Sequence, residues 1–113
     1  MVEIIQININ KCKNAHDCLF RYLTNNPGMI ALIQEPYSYQ NKIICPRGYT
    51  IYGMQHSRAI IVAPMQCFLF FSYELSSLDH TVVYFKNGKK SQFLVSVYLD
   101  ITKPCISPEL AKI

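Results

Sequence analysis

Isoleucines at positions 5, 7 and 9 alternate with Gln6 and Asn8 in the stretch VEIIQINI. A period of two puts the isoleucines on one face and the polar residues on the other, so Val2 to Ile9 is predicted to be a strand. The period then changes. Ala15, Cys18, Leu19, Tyr22 and Leu23 recur at helical spacing, which predicts a helix from Lys11 to Tyr22 with Asn14 as its N-cap. The run Asn25-Asn26-Pro27-Gly28 stops it. Met29 to Gln34, MIALIQ, is a short, almost wholly apolar run and reads as a second strand. Strand, helix and strand joined by short links form a βαβ unit, which makes the two strands parallel.

Beyond Gln34 the pattern is dominated by strands. Tyr49 to Tyr52, Arg58 to Ala63 and Gln66 to Ser72 each carry β-type residues between turn formers. Thr81 to Lys86 and Gln92 to Leu99 form a predicted hairpin across Asn87-Gly88. Ser107 and Pro108 occupy the N-cap and first position of a further helix. One helix cannot cover strands that are apolar on both faces. The remaining cover is expected from another chain or from sequence beyond Ile113.

Composition narrows the class. The 113 residues suffice for one domain, and with half of them hydrophobic and 16% charged the chain is not disordered. Net charge is +4, but only Lys86, Lys89 and Lys90 cluster, so the charge admits a polyanionic partner without demanding one. The five cysteines are odd in number, irregular in spacing and form no CxxC pair. They read as reduced, mostly buried thiols of an intracellular protein rather than as disulfides or zinc ligands. The longest apolar stretch, Ile60 to Phe71, is broken by Pro64 and Gln66 and falls short of the roughly 20 residues that span a bilayer.

The polar residues at strand ends carry the candidate chemistry. In parallel α/β sheets ligands bind at the carboxyl ends of the strands. The first strand ends on Asn8 and Asn10, and the second runs into Glu35 and Pro36. Parallel neighbours would bring these side chains to one sheet edge. A carboxylate beside two carboxamides is an oxygen-only donor set suited to Mg²⁺, which takes one or two carboxylates, waters and a substrate phosphate. The plainer alternative is that the asparagines cap the strand end or the helix, and that Glu35 is solvated. Tyr98, at the end of the last strand, reads as half-buried packing or as a phosphate hydrogen-bond donor. His56 and His80 fall in predicted loops, and Ser77 to His80 reads as a turn before a strand.

The order of motifs resembles a known family. QININ, AHDCLFRYL, ALIQEPY, SRAIIV, FLVSVYL and SPEL together resemble the endonuclease domain of non-LTR retrotransposons, within the endonuclease/exonuclease/phosphatase superfamily that includes the apurinic/apyrimidinic endonucleases. The resemblance runs over essentially the whole chain. It implies an α/β fold of two stacked sheets with helices outside, and divalent-metal (Mg²⁺ or Mn²⁺) cleavage of DNA that exposes a 3′ end for reverse transcription. By this resemblance Asn8 and Tyr98 are catalytic-site residues, Glu35 is the metal ligand, and Asn10 stands where relatives carry an aspartate near the metal. Arg58 matches a basic position expected to contact the nucleic-acid backbone.

The family also carries an Asp-x-Asn motif and a terminal Ser-Asp-His motif in its second half, and this sequence contains neither. The resemblance therefore implies the N-terminal half of a two-sheet α/β sandwich, residues 1–113 being a partial domain that is inactive alone. The implied partners are DNA, the C-terminal half and a reverse transcriptase domain of the same polyprotein, with no membrane. The implied location is the nucleus, where chromosomal DNA is cut. The alternatives are a non-catalytic module that binds nucleic acid or a partner, and a retroelement relic without function.

Overall fold

A computed structural model describes residues 3–99. The strand-helix-strand start is as expected. β1 (Glu3–Asn8) and β2 (Met29–Gln34) pair in parallel, with Asn8 beside Gln34, and α1 (Lys13–Asn25) connects them. β2 also pairs antiparallel with β4 (Ala59–Pro64), which pairs with β3 (Tyr49–Tyr52), giving a four-stranded sheet of order β1-β2-β4-β3. A second sheet of order β5-β6-β7 holds β5 (Phe70–Phe71), β6 (His80–Asn87) and β7 (Lys90–Val97). The two stacked sheets with a helix on one side are the α/β sandwich that the sequence implied.

Five local expectations are corrected. The helix is capped by the backbone of Cys12, not by Asn14, and no side chain serves as its cap. Its buried face is His16, Leu19, Phe20 and Leu23, whereas Cys18 and Tyr22 are exposed. The stripe turns toward His16 because the imidazole Nε2–H donates to the Ile44 carbonyl (2.9 Å) and the ring packs on Phe20 and Tyr37. The strand expected over 66–72 shrinks to Phe70–Phe71, because Cys67 and Leu69 close tight turns onto Pro64 and Cys67 through their N–H groups. Among the described cysteines Cys12 and Cys18 are exposed and Cys45 and Cys67 half-buried, so they are not core thiols. In the hairpin Asn87 pairs with Lys90, so Gly88 (φ 68°) and Lys89 make the two-residue turn. The helix expected at Ser107 lies outside the described residues.

The core forms two layers because β2 and β4 are buried on both faces. Ile5, Ile7, Ala31, Ile33, Ile60 and Val62 pack under α1, while Ile30, Ile61, Ala63 and Val83 pack between the sheets. A polar tie crosses the inter-sheet layer. Gln34 Nε2 donates to Ser96 Oγ (3.0 Å), and Ser96 Oγ donates to the Ile33 carbonyl (3.2 Å), with both side chains buried. This holds β7 against the carboxyl end of β2. At the other end of the strands an apolar cleft of about 870 Å³ opens between the sheets, bounded by Ile4, Ile30, Phe85, Phe93 and Leu94. Ile4 and Phe93 are 47% and 45% exposed there, so apolar surface remains without cover among the described residues.

Burial of His16 has a pH consequence. Desolvation lowers its pKa below the ordinary histidine value, ahead of the opposing hydrogen bond to Ile44 and the nearby charges of Asp17 and Lys13. The unfolded chain therefore binds the proton more readily than the folded one. Stability is expected to be complete above the unfolded pKa of about 6.5 and to fall as the pH drops from there through the lower folded value. Urea midpoints at pH 7.5 and pH 5 check this, and the His16→Gln chain should lose that part of the difference.

Candidate metal and phosphate site

The carboxyl ends of β1 and β2 form one edge of the sheet, where the chain leaves both strands through left-handed backbone. Asn10 (φ 52°), Lys11 (φ 55°) and Glu35 (φ 49°) all have positive φ. That region costs a residue with a Cβ roughly 1–2 kcal/mol, and here it is held by hydrogen bonds between the loops. The Lys11 N–H donates to the Glu35 carbonyl (2.9 Å), and the Glu35 N–H donates to the Arg58 carbonyl (2.8 Å). The Asn10 N–H donates to Asn8 Oδ1 (2.8 Å), so Asn8 organises the turn that presents Lys11.

These turns border a cleft of about 380 Å³ lined by Lys11, Glu35, Asn41, His56, Ser57 and Arg58, among others. Among the described residues six non-glycine positions have positive φ, and four of them (Lys11, Glu35, Asn41 and His56) line this cleft. Strained backbone clusters at functional sites, where the surrounding structure over-determines it. The cleft combines one carboxylate with Lys11 and Arg58, so it suits an anion bridged to the carboxylate by a cation.

Of the five sequence-predicted residues, Asn8, Asn10 and Glu35 lie at this edge, but of these three only Glu35 lines the cleft, where Arg58 joins it through its carbonyl and its place in the wall. Tyr98 follows β7 directly and lies against Arg58, whose guanidinium carbon is 5.0 Å from the ring centroid. Arg58 is also ion-paired with Asp79, so it is more than a free basic contact. Sequence reasoning passed over Lys11 and Asn41, and it read Asp79 only as part of a turn. A signal was present only for Lys11, which directly follows Asn10 at the predicted strand end.

Among the described residues no group of three or more His, Cys, Asp or Glu gathers that could hold a metal ion. The donors at the edge are the Glu35 carboxylate and the Asn8 and Asn10 carboxamides. Asn8 Oδ1 accepts one hydrogen bond and keeps a second lone pair. One carboxylate with neutral oxygens fits Mg²⁺, which retains waters and shares a substrate phosphate.

Comparison with known proteins is confined to structure. No family model and no curated protein matches the chain. A solved structure described as the endonuclease domain of TRAS1, a telomere-specific non-LTR retrotransposon, superposes with a TM-score of 0.75 at 24% identity. This chain shares the fold of the matched part of that domain. The match covers 91% of this chain and 48% of that one, so the chain spans about half the length of the TRAS1 domain.

Proposed function

We propose that this chain supplies the Asn8–Glu35 side of a metal-dependent DNA endonuclease site of the non-LTR retrotransposon kind. The observation that carries the reading is the convergence of left-handed, non-glycine backbone on the one cleft that holds Glu35. Glu35, with Asn8 and Asn10 beside it, would hold Mg²⁺ or Mn²⁺. When bound, such an ion supplies Lewis-acid polarisation of a phosphodiester. Lys11 and Arg58 draw the phosphate toward the cleft wall, and Tyr98 stands against Arg58 at its rim. Cleavage would expose a 3′ end that primes reverse transcription, on nuclear chromosomal DNA.

The nucleophile-activating groups expected in the family's Asp-x-Asn and Ser-Asp-His motifs are not in this sequence. Among the described residues, the uncovered apolar cleft and the unpaired edges of β1 and β7 fit a chain that packs against the rest of such a domain. The isolated chain should therefore bind duplex DNA in a salt-sensitive, Mg²⁺-strengthened manner without nicking it. Gel-shift titrations with and without Mg²⁺, beside a supercoiled-plasmid nicking assay, measure both. Binding that ignores Mg²⁺ would turn the reading into a non-catalytic binding module. Aggregation without DNA binding would turn it into a relic, and Mg²⁺-dependent nicking would overturn the inactivity.

A further inference from the structure

The segment Ser77–Asp79 lies between the start of β4 and the exit of β7 and is bonded to both. The Arg58 N–H donates to the Leu78 carbonyl (2.6 Å), and the Tyr98 N–H donates to the Asp79 carbonyl (2.7 Å). The segment is itself anchored. Ser77 Oγ accepts the Asp79 N–H (3.1 Å) and lies 2.9 Å from Nδ1 of the buried His80. From this anchored backbone the Asp79 carboxylate pairs with the Arg58 guanidinium, the two side chains being 20% and 33% exposed. The same guanidinium lies over the Tyr98 ring.

We infer that Asp79 is a positioning residue for Tyr98, acting through Arg58; this rests on the endonuclease reading above. A guanidinium is planar and presents its donors in a rigid fork, so a carboxylate that engages it sets the orientation of its plane. A cation over an aromatic face in turn favours one placement of the ring. Asp79 thus holds both the backbone and the side-chain environment of Tyr98, and it balances the charge of Arg58 at the cleft wall. Arg58 then serves as the platform between the Glu35 edge and Tyr98, its carbonyl fixing one and its side chain the other.

The test uses the full chain labelled with 3-fluorotyrosine, the Tyr98 ¹⁹F line being identified by its loss in Tyr98→Phe. Asp79→Asn is expected to shift that line and leave the other tyrosine lines in place. It should also weaken Mg²⁺-dependent affinity for a duplex oligonucleotide about tenfold, within the range of couplings between contacting residues. Asp79→Glu should restore both in part. An unmoved Tyr98 line in Asp79→Asn overturns the inference. If Asp79→Asn unfolds, Arg58→Lys takes its place, since it keeps the charge opposite Asp79 but loses the flat guanidinium. A shifted Tyr98 line in that variant supports the inference, and an unmoved one overturns it. If the unsubstituted chain binds no DNA, the endonuclease reading falls, and the placement of Tyr98 is decided by the ¹⁹F line alone.

Discussion

Replacing Glu35 by glycine is expected to leave the fold at least as stable while removing the Mg²⁺-dependent part of DNA binding. Glu35 sits at φ 49°, where glycine avoids a steric cost of roughly 1–2 kcal/mol. Glycine adds an entropic cost of roughly 0.5–1 kcal/mol in the unfolded chain. The first outweighs or equals the second, with a balance of about 0 to 1.5 kcal/mol toward the variant. The hydrogen bonds that hold the turn, from Lys11 and to Arg58, use only the Glu35 backbone and survive the change.

The lost carboxylate is the acidic donor of the proposed ion site. Its removal should weaken Mg²⁺-dependent binding by more than the roughly 10–100-fold typical of losing a residue behind a metal ligand. Denaturant unfolding and Mg²⁺ titration of DNA binding measure the two effects separately, with Glu35→Gln as the shape-matched control. A Glu35→Gly chain that loses more than about 1 kcal/mol and keeps its Mg²⁺ response would make Glu35 a structural residue.

The second large effect concerns Gly53, which follows β3 where the two sheets approach each other. Its φ of 152° is disfavoured for residues with a side chain, and an added Cβ would lie 3.0 Å from Ile60 Cγ2 and 3.2 Å from Thr81 Oγ1. Neither neighbour can give way easily. Ile60 is 2% exposed in the core, and the buried Thr81 hydroxyl donates to the Ala59 carbonyl (2.6 Å). Gly53→Val combines backbone strain with overpacking and should cost about 3 kcal/mol, a large share of a stability of roughly 5–15 kcal/mol. Because Ala59 follows Arg58 directly, the strain reaches the wall of the cleft. The variant should show a lower urea midpoint and weaker DNA binding together. A midpoint within about 0.5 kcal/mol of the parent would show that the sheets adjust freely there.

Alternation in VEIIQINI and the run MIALIQ specified two strands, and the short helical segment between them required a parallel pair. That pairing places Asn8 and Glu35 at one edge of the sheet. The helical stripe was less legible. Cys18 and Tyr22 carry apolar periodicity yet face outward, because a hydrogen bond from His16 to a loop carbonyl 28 residues away turns the helix. Uncovered apolar surface was expected from one helix facing many apolar strands, and among the described residues Ile4, Phe68 and Phe93 carry it.

Local periodicity by itself determined every described strand except β5, the βαβ start, the hairpin and the strand end that delivers Glu35. It could do so because side-chain direction along a strand or helix depends only on neighbours in the chain. The tertiary structure alone decided the pairing of Arg58 with Asp79, the tie from Gln34 to Ser96 and the entry of Asn41 and His56 into the cleft. It also decided the left-handed turns at Lys11 and Glu35, which no glycine marks. Periodicity says which face a residue takes but not which strand will lie across from it. Strain held by distant hydrogen bonds leaves no local trace in the residues that bear it.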